Sequence, residues 1–184
     1  MIYVVVEIFI YMTWAAVFVS RSRRSSPSAT EELQVLLFAL PTAMLVEVVN
    51  EYLYAGAGLY YPSSLLYFPM FKFPVALIFS GTLYTWAFYV LSRKIAIRIT
   101  GEDSRFLSLV QLGLFLLLLS TNVLVEPIGV RIGYWQWYKP PPETFAMYAA
   151  RYMTYFVGAF PPALFAAFFS WRSKIGVKAR PPSG

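Results

Sequence analysis

Leu33–Tyr54 reads LQVLLFALPTAMLVEVVNEYLY. The run has the length and apolar character of a membrane-crossing helix, which needs about 20 residues. Its final part, VEVVNEYLY, nevertheless carries two carboxylates and an amide. Ionised side chains among lipid tails are costly, so such groups turn towards a bundle interior and find partners there. Glu47, Asn50 and Glu51 are spaced i, i+3 and i+4 and therefore share one side of a helix. Reading the fold then means finding matching polar groups in the other segments.

The composition supports a membrane setting. Of 184 residues, 59% are apolar and 13% charged, against about 25% charged in a soluble domain. Together with several apolar stretches, this predicts an all-α integral membrane protein. One helical domain is expected over residues 1–179, followed by a short disordered tail at 180–184. Besides Leu33–Tyr54, four more spans are expected: Ile2 to Ser20, Pro74 to Leu91, Phe106 to Val125 and Ala146 to Trp171. The last should break or kink at Pro161-Pro162. Thr30 is expected to cap the second span, with Glu31 and Glu32 in its first turn, where the helix dipole favours acids.

Orientation follows from the cations. Arg21, Arg23, Arg24, Arg93, Lys94, Arg98, Arg105, Arg172, Lys174, Lys178 and Arg180 are 11 of the 15 Lys and Arg, and all fall on one side of this arrangement. The positive-inside rule makes that side cytoplasmic, with the N-terminus outside and the C-terminus inside, in a multi-pass protein of the cell membrane. The first span lacks a basic leading region, carries Glu7 and is followed by arginines, so a retained anchor is expected. The aromatic segments Ala55–Phe73 and Glu126–Phe145 become outer connections lying at the interface.

With no histidine or cysteine, the chain lacks the usual ligands of haem, copper and zinc, and no cofactor is expected. The basic residues sit in short segments between apolar runs, so nucleic acid is not an expected partner. A membrane lipid or isoprenoid is, and a homo-oligomer or a membrane-complex partner is compatible with the composition.

Depth sharpens the picture. At about 1.5 Å per residue, Glu47 and Glu51 lie roughly 21 and 27 Å up the second span, and Asn122 and Glu126 roughly 24 and 30 Å up the fourth. Glu7 and Arg151 fall within two turns of the outer ends of the first and fifth spans. Tyr3, Glu7, Tyr11 and Trp14 share a helix face, as do Tyr148, Arg151, Tyr152 and Tyr155. Four polar-aromatic stripes at one depth form a layer rather than a path, which argues against a channel or transporter. Buried neighbouring carboxylates supply acid–base chemistry, and aromatic faces stabilise cations. That combination suits protonation of a carbon–carbon double bond in a lipid-soluble molecule. The structural alternative is a salt-bridge and hydrogen-bond cluster that fixes helix packing.

Two stretches also resemble a known family. Asn122–Trp137, NVLVEPIGVRIGYWQW, looks like the late motif of the carotenoid biosynthesis membrane proteins that include the bisanhydrobacterioruberin hydratases. Glu47–Pro62, EVVNEYLYAGAGLYYP, resembles their first motif, a glutamate followed by glycines and a Tyr-rich turn. The matching positions are Glu51 and Gly58, then Glu126, Pro127, Trp135 and Trp137. Tyr54 stands where the motif has a glycine, and KPPPETFAMYAARYM replaces the usual continuation. The resemblance implies a cofactor-independent enzyme that adds water across a terminal double bond of a long isoprenoid; the acid–base and aromatic residues suit a hydratase or a cyclase. On this reading Glu47, Glu51 and Glu126 are the catalytic candidates. Asn50, Asn122, Tyr54, Trp135, Trp137, Arg151, Tyr155, Glu7 and Tyr11 line the substrate. The other function class is a non-catalytic subunit of a membrane complex, or a lipid- or pigment-binding protein.

Overall fold

A computed structural model describes residues 2–54, 59–60, 64–70, 73–120 and 136–137. It is helical, with α1 at Ile2–Ser22, α2 at Pro27–Tyr54, α3 at Val75–Thr100 and α4 at Leu107–Ser120. Two residue pairs, β1 (Leu59–Tyr60) and β2 (Gln136–Trp137), join antiparallel, Leu59 opposite Trp137 and Tyr60 opposite Gln136. The two aromatic connections thus pair with each other. Among the described residues, Tyr3–Ser22 and Val75–Thr100 are long and apolar enough to cross a membrane. The expected span Ala146–Trp171 lies outside the described residues.

Local chemistry moves two boundaries from their expected places. α2 begins at Pro27, not beyond Thr30, because proline is preset for the first helical position, where its missing N–H costs nothing. Ser26 is the cap: its Oγ accepts from the Ala29 N–H at 3.3 Å. Thr30 lies a turn inside, and its hydroxyl donates to the Ser26 carbonyl. Pro41 removes the N–H that would bond the Leu37 carbonyl, yet α2 runs through it to Tyr54. α3 likewise continues past Leu91, carrying Arg93, Lys94 and Arg98 on the helix. It stops at Gly101, whose φ of 82° is left-handed and whose N–H donates to the Ile97 carbonyl at 2.8 Å.

The upper end of the bundle is where α1 begins, α2 ends and α3 begins. There Phe73 and Ile78 are buried with Tyr3, Leu40, Ala43, Val48, Phe68 and Leu77 against them. At the lower end Val35, Tyr89 and Phe115 form a second core, ringed by Phe88, Val90, Leu112 and Leu116. At the edge of the upper cluster α2 and α3 pack closely at Ala43 and Gly81, where a Cβ on the glycine would stand 3.1 Å from that of Ala43.

Polarity runs opposite to that of a soluble domain. Val5, Phe9 and Met12 on α1 and Leu109 and Leu117 on α4 are exposed, whereas Glu7, Glu47, Thr82, Thr85, Ser92 and Gln111 are buried. Three of the buried hydroxyls are satisfied within their own helix: Thr82 donates to the Phe79 carbonyl at 2.7 Å, Thr85 to that of Gly81 at 2.9 Å and Ser92 to that of Tyr89 at 2.9 Å.

Candidate functional site

The acidic side chains that face neighbouring elements lie at two levels, Glu7 and Glu47 above, Glu31 and Glu32 below. From Glu7 down α1 to Arg21, and from Glu47 down α2 to Glu31, the helical rise gives separations of about 21 and 24 Å.

The upper layer is organised by Glu7, which is completely buried although it sits between the exposed Val6 and Ile8. Its Oε2 accepts from the Leu65 N–H at 2.8 Å and from the Ser64 hydroxyl at 3.1 Å. Those residues open a strap that returns to α3: the Val75 N–H donates to the Leu66 carbonyl at 2.9 Å, and the Phe68 N–H to that of Phe73 at 3.1 Å. Phe68 and Phe73 stack at 5.4 Å, and Tyr67 pairs with Pro74. One Glu7 oxygen thus ties the strap to α1, beside the packing of Tyr3 in the cluster of Phe73 and Phe68.

Below Glu7 the same face of α1 presents Tyr11 and Trp14. Both rings meet Phe79 of α3 edge-on, at 5.3 Å and 5.1 Å, and Trp14 stacks on Phe18 at 5.3 Å. Glu7 Oε1, the Tyr11 hydroxyl and Trp14 Nε1 are buried and make no hydrogen bond among the described residues. From α2, Glu47 is buried at the same level.

Sequence reasoning did not anticipate the lower layer. Glu31 receives hydrogen bonds from the Tyr89 hydroxyl and from Arg93 Nη1, and that nitrogen also lies 3.0 Å from the Tyr89 oxygen. Glu32, one residue on, faces α1, with Oε2 2.9 Å from Arg21 Nε. The Arg21 guanidinium also covers the Trp86 ring at 5.5 Å. Two arginines expected to act as topology signals are thus interhelical partners. The available hint was spacing: Tyr89 and Arg93 are i and i+4, and adjacent glutamates point about 100° apart on a helix.

The structure brings Glu7, Tyr11 and Glu47 to the upper end, and keeps Asn50, Glu51 and Tyr54 on the unbroken last turns of α2. Trp137 lies in β2, opposite Leu59. Asn122, Glu126, Trp135, Arg151 and Tyr155 lie outside the described residues. Comparison with protein-family models, with curated proteins and with solved structures finds no match.

Proposed function

We propose that this chain is a multi-pass protein of the cell membrane that acts on a lipid-soluble, isoprenoid-type molecule by carboxylate acid–base chemistry. The observation that carries this reading is the inverted polarity: Glu7 and Glu47 are buried while Val5, Phe9, Met12, Leu109 and Leu117 are exposed. Apolar side chains outside and acids inside are what a bundle in hydrocarbon requires. The positive-inside rule orients the upper layer towards the outer leaflet.

In the proposed reaction one carboxyl group, Glu51 or Glu47, gives its proton to a substrate double bond, forming a new C–H bond and a carbocation. Glu126 then takes a proton from water as the water oxygen bonds to the cationic carbon, so the net change is addition of one water. In a cyclase the second alkene captures the cation instead, and the carboxylate removes a proton from the product cation. Asn50 and Asn122 orient the water, Arg151 balances charge, and the tyrosine and tryptophan faces of the outer segments stabilise the cation. Kinship with the carotenoid hydratases remains part of this proposal and rests on the two motifs quoted above. Glu51→Gln and Glu126→Gln should each abolish the product found in lipid extracts of expressing cells while leaving yield and melting temperature nearly unchanged. Loss of folding in both variants would sink the catalytic reading.

A second reading, a lipid- or pigment-binding subunit without catalysis, is favoured by the use of Glu7 Oε2 as an anchor for the strap. Under that reading the extracts from wild type and both glutamine variants contain the same bound molecule, chemically unaltered.

A further inference from the structure

The seam between α1 and α3 holds three buried polar atoms that find no hydrogen-bond partner among the described residues: Glu7 Oε1, the Tyr11 hydroxyl and Trp14 Nε1. They follow one another along a single face of α1, at steps of four and three residues, or about 6 and 4.5 Å of rise. Buried polar groups are nearly always paired, and each exception calls for a missing partner. Other buried groups nearby obey that rule: Thr82 and Thr85 bond to their own helix.

Their chemistry selects the missing partner. Trp14 Nε1 only donates, Tyr11 donates and accepts, and a carboxylate oxygen only accepts. A ketone or ether satisfies the donors but gives Glu7 no hydrogen. An ammonium group serves Glu7 but has no lone pair to accept from Tyr11 or Trp14. A hydroxyl does both: its oxygen accepts from Tyr11 or Trp14, and its hydrogen goes to Glu7 Oε1. Around these atoms stand the rings of Phe79 and Phe18, which suit the apolar remainder of such a molecule.

We infer that the Glu7–Tyr11–Trp14 face of α1 binds the hydroxyl end of an apolar alcohol, between α1 and α3. This deepens the proposed function and rests on its placing of the bundle in lipid, but it requires no turnover. The test uses the full chain in detergent micelles, titrated with hexadecan-1-ol and, separately, with hexadecane. The alcohol should raise the melting temperature and the hydrocarbon should not. Tyr11→Phe and Trp14→Phe keep the ring packing and remove one polar atom each. Each should weaken alcohol binding about five-fold, the equivalent of one neutral hydrogen bond.

Stability without ligand provides a second readout. If the hydroxyl is unused, Tyr11→Phe leaves the free protein as stable as wild type or more so. Destabilisation of the free protein would reveal a partner inside the fold and overturn the inference. So would equal binding of alcohol and hydrocarbon, or no binding of either, which would leave only water at these atoms. Alcohol binding that depends on Tyr11, in a protein forming no product, would sink the enzyme reading alone. Product formation with alcohol affinity unchanged in Tyr11→Phe would sink the present one alone.

Discussion

Arg93→Met removes the cation at the centre of the lower layer. In the folded chain Arg93 donates to Glu31, which also receives the hydroxyl of Tyr89, a ring that is almost completely buried. Without the guanidinium, the Glu31 carboxyl group, 12% exposed, has only a phenol to face it. Stranding one member of a fully buried pair costs about 3–5 kcal/mol. The Arg93 side chain keeps 23% exposure, so water already screens part of the interaction. The expected loss is therefore smaller, about 2–3 kcal/mol. Glu31→Leu should cost a similar amount, because it leaves the Arg93 cation without its carboxylate and the Tyr89 hydroxyl without an acceptor for its hydrogen. The double variant removes both charges and strands only the Tyr89 hydroxyl, about 1–2 kcal/mol. The two single losses should thus exceed the double loss by at least about 2 kcal/mol. SDS titration in mixed micelles, followed by helical circular dichroism, measures each value. A double variant as destabilised as the sum of the singles, or singles indistinguishable from wild type, would refute the assignment of these residues as one interhelical unit.

Glu7→Leu should free the strap without unfolding the bundle. Losing a charged acceptor worth about 1.5–3 kcal/mol speeds hydrogen exchange at the Leu65 amide by roughly tenfold or more, with α3 amides unchanged; equal protection at Leu65 would show that Glu7 does not hold it. Gly101→Ala should cost about 1–3 kcal/mol, since the φ of 82° and ψ of 155° belong to a region reserved for glycine. No atom lies within 4 Å of the added methyl, so the cost is purely backbone, and an unchanged melting temperature would contradict it.

Particular residues show how far the sequence could be read. The stripe Tyr3, Glu7, Tyr11 and Trp14 was legible because one helix fixes spacing by its own rise and turn, and the structure keeps those residues on α1 facing Phe79. The continuity of α2 through Glu47, Asn50 and Glu51 was legible for the same reason. The Ser26 cap was missed because Thr30 offered an equally good hydroxyl, and proline's preference for the first turn decided between them. The partners of Arg21 and Arg93 were missed for a different reason. A cation at a helix end satisfies a topology rule whether or not it has a partner, and the partners stand on other helices.

The sequence alone determined the helical class and the polar face of α1, since both depend on periodicity along a single strand of chain. Tertiary structure decided which faces meet. It gave one Glu7 oxygen to the strap and left the other without a hydrogen bond among the described residues, split Glu31 and Glu32 between α3 and α1, and set Ala43 against Gly81. Such choices depend on the azimuth and height of each helix relative to its neighbours. Those two quantities are fixed only when several segments pack at once.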